Sequence, residues 1–308
     1  MSLKILGTGS ALPEKIVTND DLSKTVETND EWIRERTGIG QRHVSSQEDT
    51  VATLGAKAAV NALDMAGVDA KDIDLILLAT CSADENTPSC ACQVQGIIGA
   101  DNAAAFDLGA ACTGFMTALT VADAYLKAGT FKKILVIGAE TLSRIVDWTD
   151  RGTCILFGDG AGAVVVTDGD GDDMIYSLGA DGAKKDALVA AKGDYIKMDG
   201  KAVYRFATTA VPKCISDALD KAGITADDVD TFFLHQANSR IIESIAKKLG
   251  QDISKFPMNL ERTGNMSSAS IPVLLDEENR KGNVKKGSRL LMSGFGAGLT
   301  YGACVLTW

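Results

Sequence analysis

Two histidines are all the imidazole in this 308-residue chain, and one of them, His235, stands in Phe233-Leu234-His235-Gln236-Ala237-Asn238. Imidazole is the usual side chain for moving protons or polarising carbonyls near neutral pH. Histidine chemistry must therefore run through His43 or His235, and other residue types must supply the rest of a site. Cys112 has the surroundings of a nucleophile. Phe106-Asp107-Leu108 reads as a strand end, Gly109 to Gly114 as a small-residue turn, and Phe115 to Leu126 as a helix by its apolar spacing. A thiol at such a helix N-terminus meets unpaired N–H groups and the positive end of the helix dipole, which favour the thiolate. The competing reading is a small residue that packs helix on sheet. Asn265, in Gly264-Asn265-Met266-Ser267-Ser268-Ala269-Ser270, stands just before another expected helix and alone reads as a loop or helix cap.

The elements that must position these groups form a repeat. Leu63-Asp64-Met65-Ala66-Gly67-Val68-Asp69 recurs as Leu219-Asp220-Lys221-Ala222-Gly223-Ile224-Thr225, an offset of 219 − 63 = 156 residues. Each copy reads as a helix end with a glycine stop, an acidic turn and a buried strand, 75–80 and 231–235. A second echo pairs Gly158-Asp159-Gly160-Ala161-Gly162 with Gly294-Phe295-Gly296-Ala297-Gly298, each a glycine-rich turn ahead of a strand. Expected helices at 50–66, 113–128, 203–222, 238–249 and 268–281 alternate with apolar strands, which implies α/β layering. Two similar halves, 1–170 and 171–308, bring Cys112, His235 and Asn265 towards one centre about a pseudo-twofold axis.

Composition excludes several classes. A net charge of −10 argues against nucleic acid and anionic membranes as partners. No apolar run reaches the ~18 residues of a membrane span. The start, Met1 to Gly9, reads as a first strand rather than a signal peptide, so the cytoplasm is the expected location. The seven cysteines form no CxxC pair, so no zinc or thioredoxin motif is expected, and no metal. Gly7-Thr8-Gly9 lacks the third glycine of a dinucleotide motif, since Leu12 stands there, and no Walker lysine pattern occurs.

The Cys112, His235 and Asn265 motifs together resemble the β-ketoacyl-acyl carrier protein synthase III family. So do Asp30-Glu31-Trp32-Ile33, Arg36-Thr37-Gly38-Ile39, Asp150-Arg151-Gly152-Thr153, the Phe157–Gly162 run and the closing glycine turn, across the whole chain. The resemblance implies an α/β thiolase fold: duplicated βαβαβαββ halves in a five-layer α-β-α-β-α sandwich, as a homodimer. It implies an acyltransferase that initiates bacterial type II fatty acid synthesis, condensing an acyl-CoA starter with malonyl-acyl carrier protein, with no cofactor. By resemblance Cys112 is the nucleophile, His235 and Asn265 stabilise the enolate, and the N–H groups of Cys112 and Ala297 form an oxyanion hole. Trp32, Arg36 and Arg151 would hold the adenine and phosphate end of CoA, with Met198, Gly200 and Asn238 along its pantetheine arm. Gln236 and Arg240 would dock the carrier protein; Thr87, Leu142 and Phe157 would shape the acyl pocket.

Relatives with other toolkits fit less well. Elongating ketosynthases use Cys-His-His, but His43 lies outside any matching motif and reads as structural. Thiolases use a second catalytic cysteine, and Cys304 falls within a terminal strand. Thr87 stands where the family often has an aromatic residue, an opening for longer or branched acyl groups. The final turn is Gly-Ala-Gly where many members have three glycines. A ketosynthase of a polyketide or other secondary pathway, or a non-catalytic homologue, are the alternatives.

Overall fold

Leu75–Ala79 is apolar at every position, and its side chains divide between two cores. Leu75 and Leu77 join one buried cluster, Ile76 and Leu78 another. Alternate strand residues point to opposite faces, so a layer must cover each side of this strand. The computed structural model, which describes residues 2–308, shows what those layers are.

Numbering only the core elements, the first half runs β1 (Ser2–Ala11), α1 (Val51–Ala66), β2 (Leu75–Ala79), α2 (Cys90–Ile98), β3 (Ala104–Leu108), α3 (Gly114–Lys127), β4 (Lys133–Glu140) and β5 (Gly160–Gly169). The second runs β6 (Ile175–Ala180), α4 (Gly200–Ala222), β7 (Thr231–Leu234), α5 (Ser239–Leu249), α6 (Ser270–Arg280), β8 (Arg289–Gly296) and β9 (Thr300–Thr307). The first sheet has the order β1-β5-β4-β2-β3, with β2 parallel to β3 and β4, and β5 antiparallel to β4 and β1. The second has the order β7-β8-β9-β6, parallel only between β7 and β8.

Side-chain packing defines five layers. Leu54 of α1 and Val94 of α2 cover the outer face of the first sheet, over Ile76, Leu78, Ile137 and Val165. Phe115 and Leu119 of α3 pack with Ile271 and Leu274 of α6 between the two sheets, against Leu77 on one side and Phe233 and Met292 on the other. Phe206 of α4 and Ile241 of α5 lie over the far face of the second sheet, against Phe232, Leu234 and Leu291. This is the thiolase sandwich.

The repeat is visible in backbone hydrogen bonds. Gly67 N–H donates to Asp64 O and Val68 N–H to Leu63 O; Gly223 and Ile224 do the same to Asp220 and Leu219. Both glycines are left-handed, at φ 63° and 68°, which only glycine adopts at little cost. The copies differ in one strand. At the same offset from β3, Leu260–Thr263 forms a helical turn, so the second half lacks the third strand of the expected βαβαβαββ unit. Its sequence, Leu-Glu-Arg-Thr, has good helix formers and no β-branched run.

Other boundaries shift for local reasons. Helix α4 begins at Gly200, ahead of the expected 203, because the Asp199 carboxylate caps the N–H groups of Lys201 and Ala202. Helix α2 was not expected; Ser89 caps it, and Asp107 at the end of β3 accepts from Cys90 and Ala91 N–H at 2.8 Å. Gly294 and Gly296 lie inside β8 rather than in a turn before a strand. Gly7 and Gly9 serve packing: a Cβ at Gly9 would stand 2.3 Å from Ala58 O on α1. Among the described residues no helix is long and apolar enough to cross a membrane.

Candidate active site

Strand β3 ends at Leu108, and the chain turns through Ala111, at φ 45°, into a 3-10 turn over Ala111–Thr113 before α3. Cys112 sits in that turn, buried. Strand β8 passes so close behind it that a Cβ at Gly296 would stand 2.7 Å from Cys112 N. The expected thiolate-favouring helix end does not hold. Burial pushes the thiol up to about 12; a hydrogen bond with Ser267 works against this, and the Glu140 carboxylate works with it. Desolvation outweighs the helix terminus because α3 proper begins only at Gly114.

His235 follows the last residue of β7, and its N–H donates to Ser293 O at 2.8 Å. Its ring meets Phe295 edge-on, centroids 5.5 Å apart. Nδ1 lies 2.7 Å from Ser270 Oγ, whose hydroxyl donates to Ser267 O at 2.6 Å. Nε2 is buried and has no hydrogen-bond partner among the described residues. Burial lowers the imidazole pKa to about 3, so the ring is neutral at rest.

Asn265 is fixed on both strands of its backbone: its N–H donates to Leu156 O at 2.8 Å, and its carbonyl accepts from Gly158 N–H at 3.0 Å. Its side-chain Oδ1 accepts from Ser267 N–H at 2.8 Å, which leaves the Nδ2 hydrogens for a substrate oxygen.

Cys112, His235 and Asn265 line one pocket of about 580 Å³, whose remaining wall includes Phe157, Met198, Val203 and Phe295. Leu156, Gly200, Tyr204 and Asn238 also line a wider pocket that opens beside Arg36, Lys201, Arg205 and Arg240. A channel therefore leads from a basic mouth to a mostly apolar chamber. Above the mouth, the Arg36 and Arg151 guanidiniums lie 4.3 and 4.9 Å from the Trp32 ring centroid. Asn238 holds the rim, donating from Nδ2 to Arg36 O and accepting Arg240 N–H on Oδ1, both at 2.9 Å.

Other expected residues lie elsewhere. Gln236 is fully buried, donates to Leu234 O at 2.8 Å and accepts Asn259 N–H at 3.3 Å. Gly296, rather than Ala297, lines the pocket. Leu142 is buried in the adjoining core and Thr87 is exposed; neither is on the pocket wall. His43 binds Pro13 O through Nδ1 at 2.6 Å, away from the site. Sequence reasoning missed Ser267 and Ser270, although both stand in the quoted Asn265 motif. It also missed Lys201 and Arg205, whose i, i+4 spacing places them on one face of α4. Among the described residues no cluster of His, Cys, Asp or Glu could hold a metal ion.

A five-layer thiolase sandwich with a buried cysteine at a strand-to-helix turn, facing a histidine and an asparagine, has the architecture of the condensing acyltransferases. Comparison with known proteins narrows the class. The model of 3-oxoacyl-[acyl-carrier-protein] synthase III matches residues 106–182, and that of its C-terminal part matches residues 219–308. The β-ketoacyl-[acyl-carrier-protein] synthase III of Clostridium acetobutylicum is 49% identical, over 100% of this chain and 99% of that one. The solved 3-oxoacyl-[acyl-carrier-protein] synthase III of Aquifex aeolicus VF5 superposes with a TM-score of 0.97 at 43% identity, covering 100% of both chains. The priming β-ketosynthase of the R1128 polyketide pathway is similar at TM-score 0.96 and 36% identity, over 99% of this chain and 96% of that one. The chain belongs to the β-ketoacyl-acyl carrier protein synthase III family.

Proposed function

We propose that this enzyme condenses an acyl-CoA starter with malonyl-acyl carrier protein, giving 3-ketoacyl-acyl carrier protein, CoA and carbon dioxide, and so initiates fatty acid synthesis. The observation that carries this reading is the single chamber shared by Cys112, His235 and Asn265 at the end of a channel with a basic mouth. In the first half-reaction the Cys112 sulfur attacks the acyl-CoA carbonyl, the C–S bond to CoA breaks, and the acyl group rests on Cys112. The N–H groups of Cys112 and of the Gly296–Ala297 turn receive the oxyanion. In the second, the malonyl carboxylate leaves as carbon dioxide, and its electron pair forms an enolate beside His235 and Asn265. The enolate carbon attacks the acyl thioester and expels the Cys112 sulfur, which regains a proton. The reaction needs no metal or cofactor.

The same reading assigns the channel. Trp32, Arg36 and Arg151 hold the adenine and phosphate end of CoA, and Met198, Gly200 and Asn238 line its pantetheine arm. Arg240 at the rim docks the acidic carrier protein, a local cation that offsets an overall charge of −10. Strand β3 is the free edge of the first sheet with Phe106 exposed, which supports dimerisation along that edge. Thr87 would then act on the partner's acyl pocket, and its small side chain admits longer or branched acyl groups. Seven unpaired cysteines among the described residues fit the reducing cytoplasm.

The test is incubation with acetyl-CoA and malonyl-acyl carrier protein, scored for the acetoacetyl product. Failure of any acyl-CoA to acylate Cys112 defeats the reading. Likeness to the R1128 priming ketosynthase supports a second one, a polyketide starter role. A starter series tests the Thr87 reading, since strict acetyl-CoA preference removes the case for a longer or branched starter.

A further inference from the structure

Ser267 bonds Asn265 directly and reaches His235 through Ser270. Its N–H holds Asn265 Oδ1 at 2.8 Å, its carbonyl accepts the Ser270 hydroxyl at 2.6 Å, and its own hydroxyl lies 3.6 Å from Cys81 Sγ. Ser270 in turn meets His235 Nδ1 at 2.7 Å. Both serines are buried, Ser267 at 2% and Ser270 at 0% exposure, so no water competes for these bonds.

The two heavy-atom contacts of Ser270 point to one histidine tautomer. A serine hydroxyl carries one hydrogen, and that of Ser270 is committed to Ser267 O. At His235 the Ser270 oxygen can only accept, so Nδ1 carries the ring hydrogen. Nε2 then presents a lone pair, which agrees with its having no partner among the described residues.

We propose that Ser267 and Ser270 are positioning residues that hold His235 as its Nδ1–H tautomer with a bare Nε2 in the chamber, and turn the Asn265 Nδ2 amide towards substrate. This rests on the condensing reaction proposed above and supplies its proton path. As the Cys112 sulfur bonds to the acyl carbon, its proton passes to Nε2, and CoA departs as a thiolate that takes a proton from water. The imidazolium so formed donates through Nε2–H to the enolate oxygen when the malonyl group loses carbon dioxide. Carbon–carbon bond formation expels the Cys112 thiolate, which takes that proton back. Atoms and charge return to the starting state, and His235 acts as donor only while it stores the nucleophile's proton.

With only two histidines, ring-¹⁵N spectroscopy reads the tautomer directly, and a His43→Gln variant leaves the His235 signals alone. At pH 7 the resting protein should show a protonated Nδ1 and an unprotonated Nε2. Ser270→Ala should mix the tautomers and lower kcat about tenfold or more, the scale at which outer-shell partners act, with KM for acetyl-CoA within about twofold, as expected for an effect on the chemical step. Ser270→Thr, which keeps the hydroxyl, should restore both. A resting Nε2–H tautomer overturns the proposal, as does a Ser270→Ala protein with unchanged tautomer and kcat. Should Ser270→Ala not fold, the unsubstituted spectrum still decides. A protein with the expected tautomer that no acyl-CoA acylates would sink the condensing reading and leave the positioning role intact.

Discussion

Ala111 and Ser267 adopt the same left-handed backbone, φ 45°, and are the only non-glycine residues to do so among those described. They are 267 − 111 = 156 residues apart, the offset that relates Leu63 to Leu219. Each stands at the sharp turn into a central helix, α3 or α6. The pseudo-twofold axis therefore relates the turn that presents Cys112 to the turn that organises His235 and Asn265. Non-glycine residues in this region cost of order 1–3 kcal/mol and persist where surrounding structure dictates them.

That strain is measurable at Ala111. Ala111→Gly should leave stability within about 1 kcal/mol, because relief of the left-handed penalty offsets glycine's extra chain entropy. Ala111→Val should cost about 2 kcal/mol or more, since a β-branched side chain tolerates positive φ poorly. Denaturant unfolding of the two variants compares them, and equal stabilities would contradict the assignment.

Thiol reactivity should follow burial rather than helix polarity. With a pKa of about 12, the Cys112 thiolate is roughly 10⁻⁵ of the population at pH 7. Alkylation of resting enzyme by iodoacetamide should therefore be slow and rise about tenfold per pH unit towards that value. A plateau reached near neutral pH would show that the helix end wins after all.

Acid should destabilise the protein through His235. Its folded pKa of about 3 lies below the ordinary 6.5, so between those values the unfolded chain binds the extra proton. Stability is then full above pH 6.5 and falls on acidification, by about 1.4 kcal/mol per pH unit for this one group. Urea unfolding at pH 6.5 and 4.5 should show a smaller loss for His235→Gln than for the unsubstituted protein.

The two half-reactions should separate by mutation. Cys112→Ala removes the acyl-enzyme and the proton that His235 would store but leaves the Asn265 amide, so decarboxylation of malonyl-acyl carrier protein should persist only slowly. Asn265→Ala should reduce carbon dioxide release about 10²–10³-fold while acylation of Cys112 continues. Unchanged release in that variant removes Asn265 from the enolate site.

Gly296→Ala tests the close passage of β8. The added Cβ would meet backbone, Cys112 N at 2.7 Å, which cannot swing aside as a side chain would. A stability loss of about 1–3 kcal/mol is expected, together with altered Cys112 labelling.

Much of this was legible because it is local. Gly67 and Gly223 announce helix stops through residues that tolerate left-handed φ, and the unbroken apolar run Leu75–Ala79 foretells a strand covered on both faces. What stayed hidden depends on which way a side chain turns. Gln236 adjoins His235 yet folds inward to Leu234 and Asn259, which no periodicity reveals at a strand exit. The lost strand at Leu260–Thr263 breaks a symmetry that the repeat led one to expect. The Cys112 pKa reverses because long-range burial, not the local turn, sets its solvation. Ser267 and Ser270 carried no signal of their own, because their link to His235 Nδ1, 35 residues before Ser270, exists only in the folded chain.

Cys112 lies in the first half of the polypeptide, while Gly296, against which its backbone rests, lies 296 − 112 = 184 residues later. A nascent chain leaving the ribosome thus carries Cys112 long before the wall behind it exists. The pocket that Cys112 lines takes walls from both halves, Phe157 from the first and His235, Asn265, Phe295 and Gly296 from the second, so it closes only once β8 has docked.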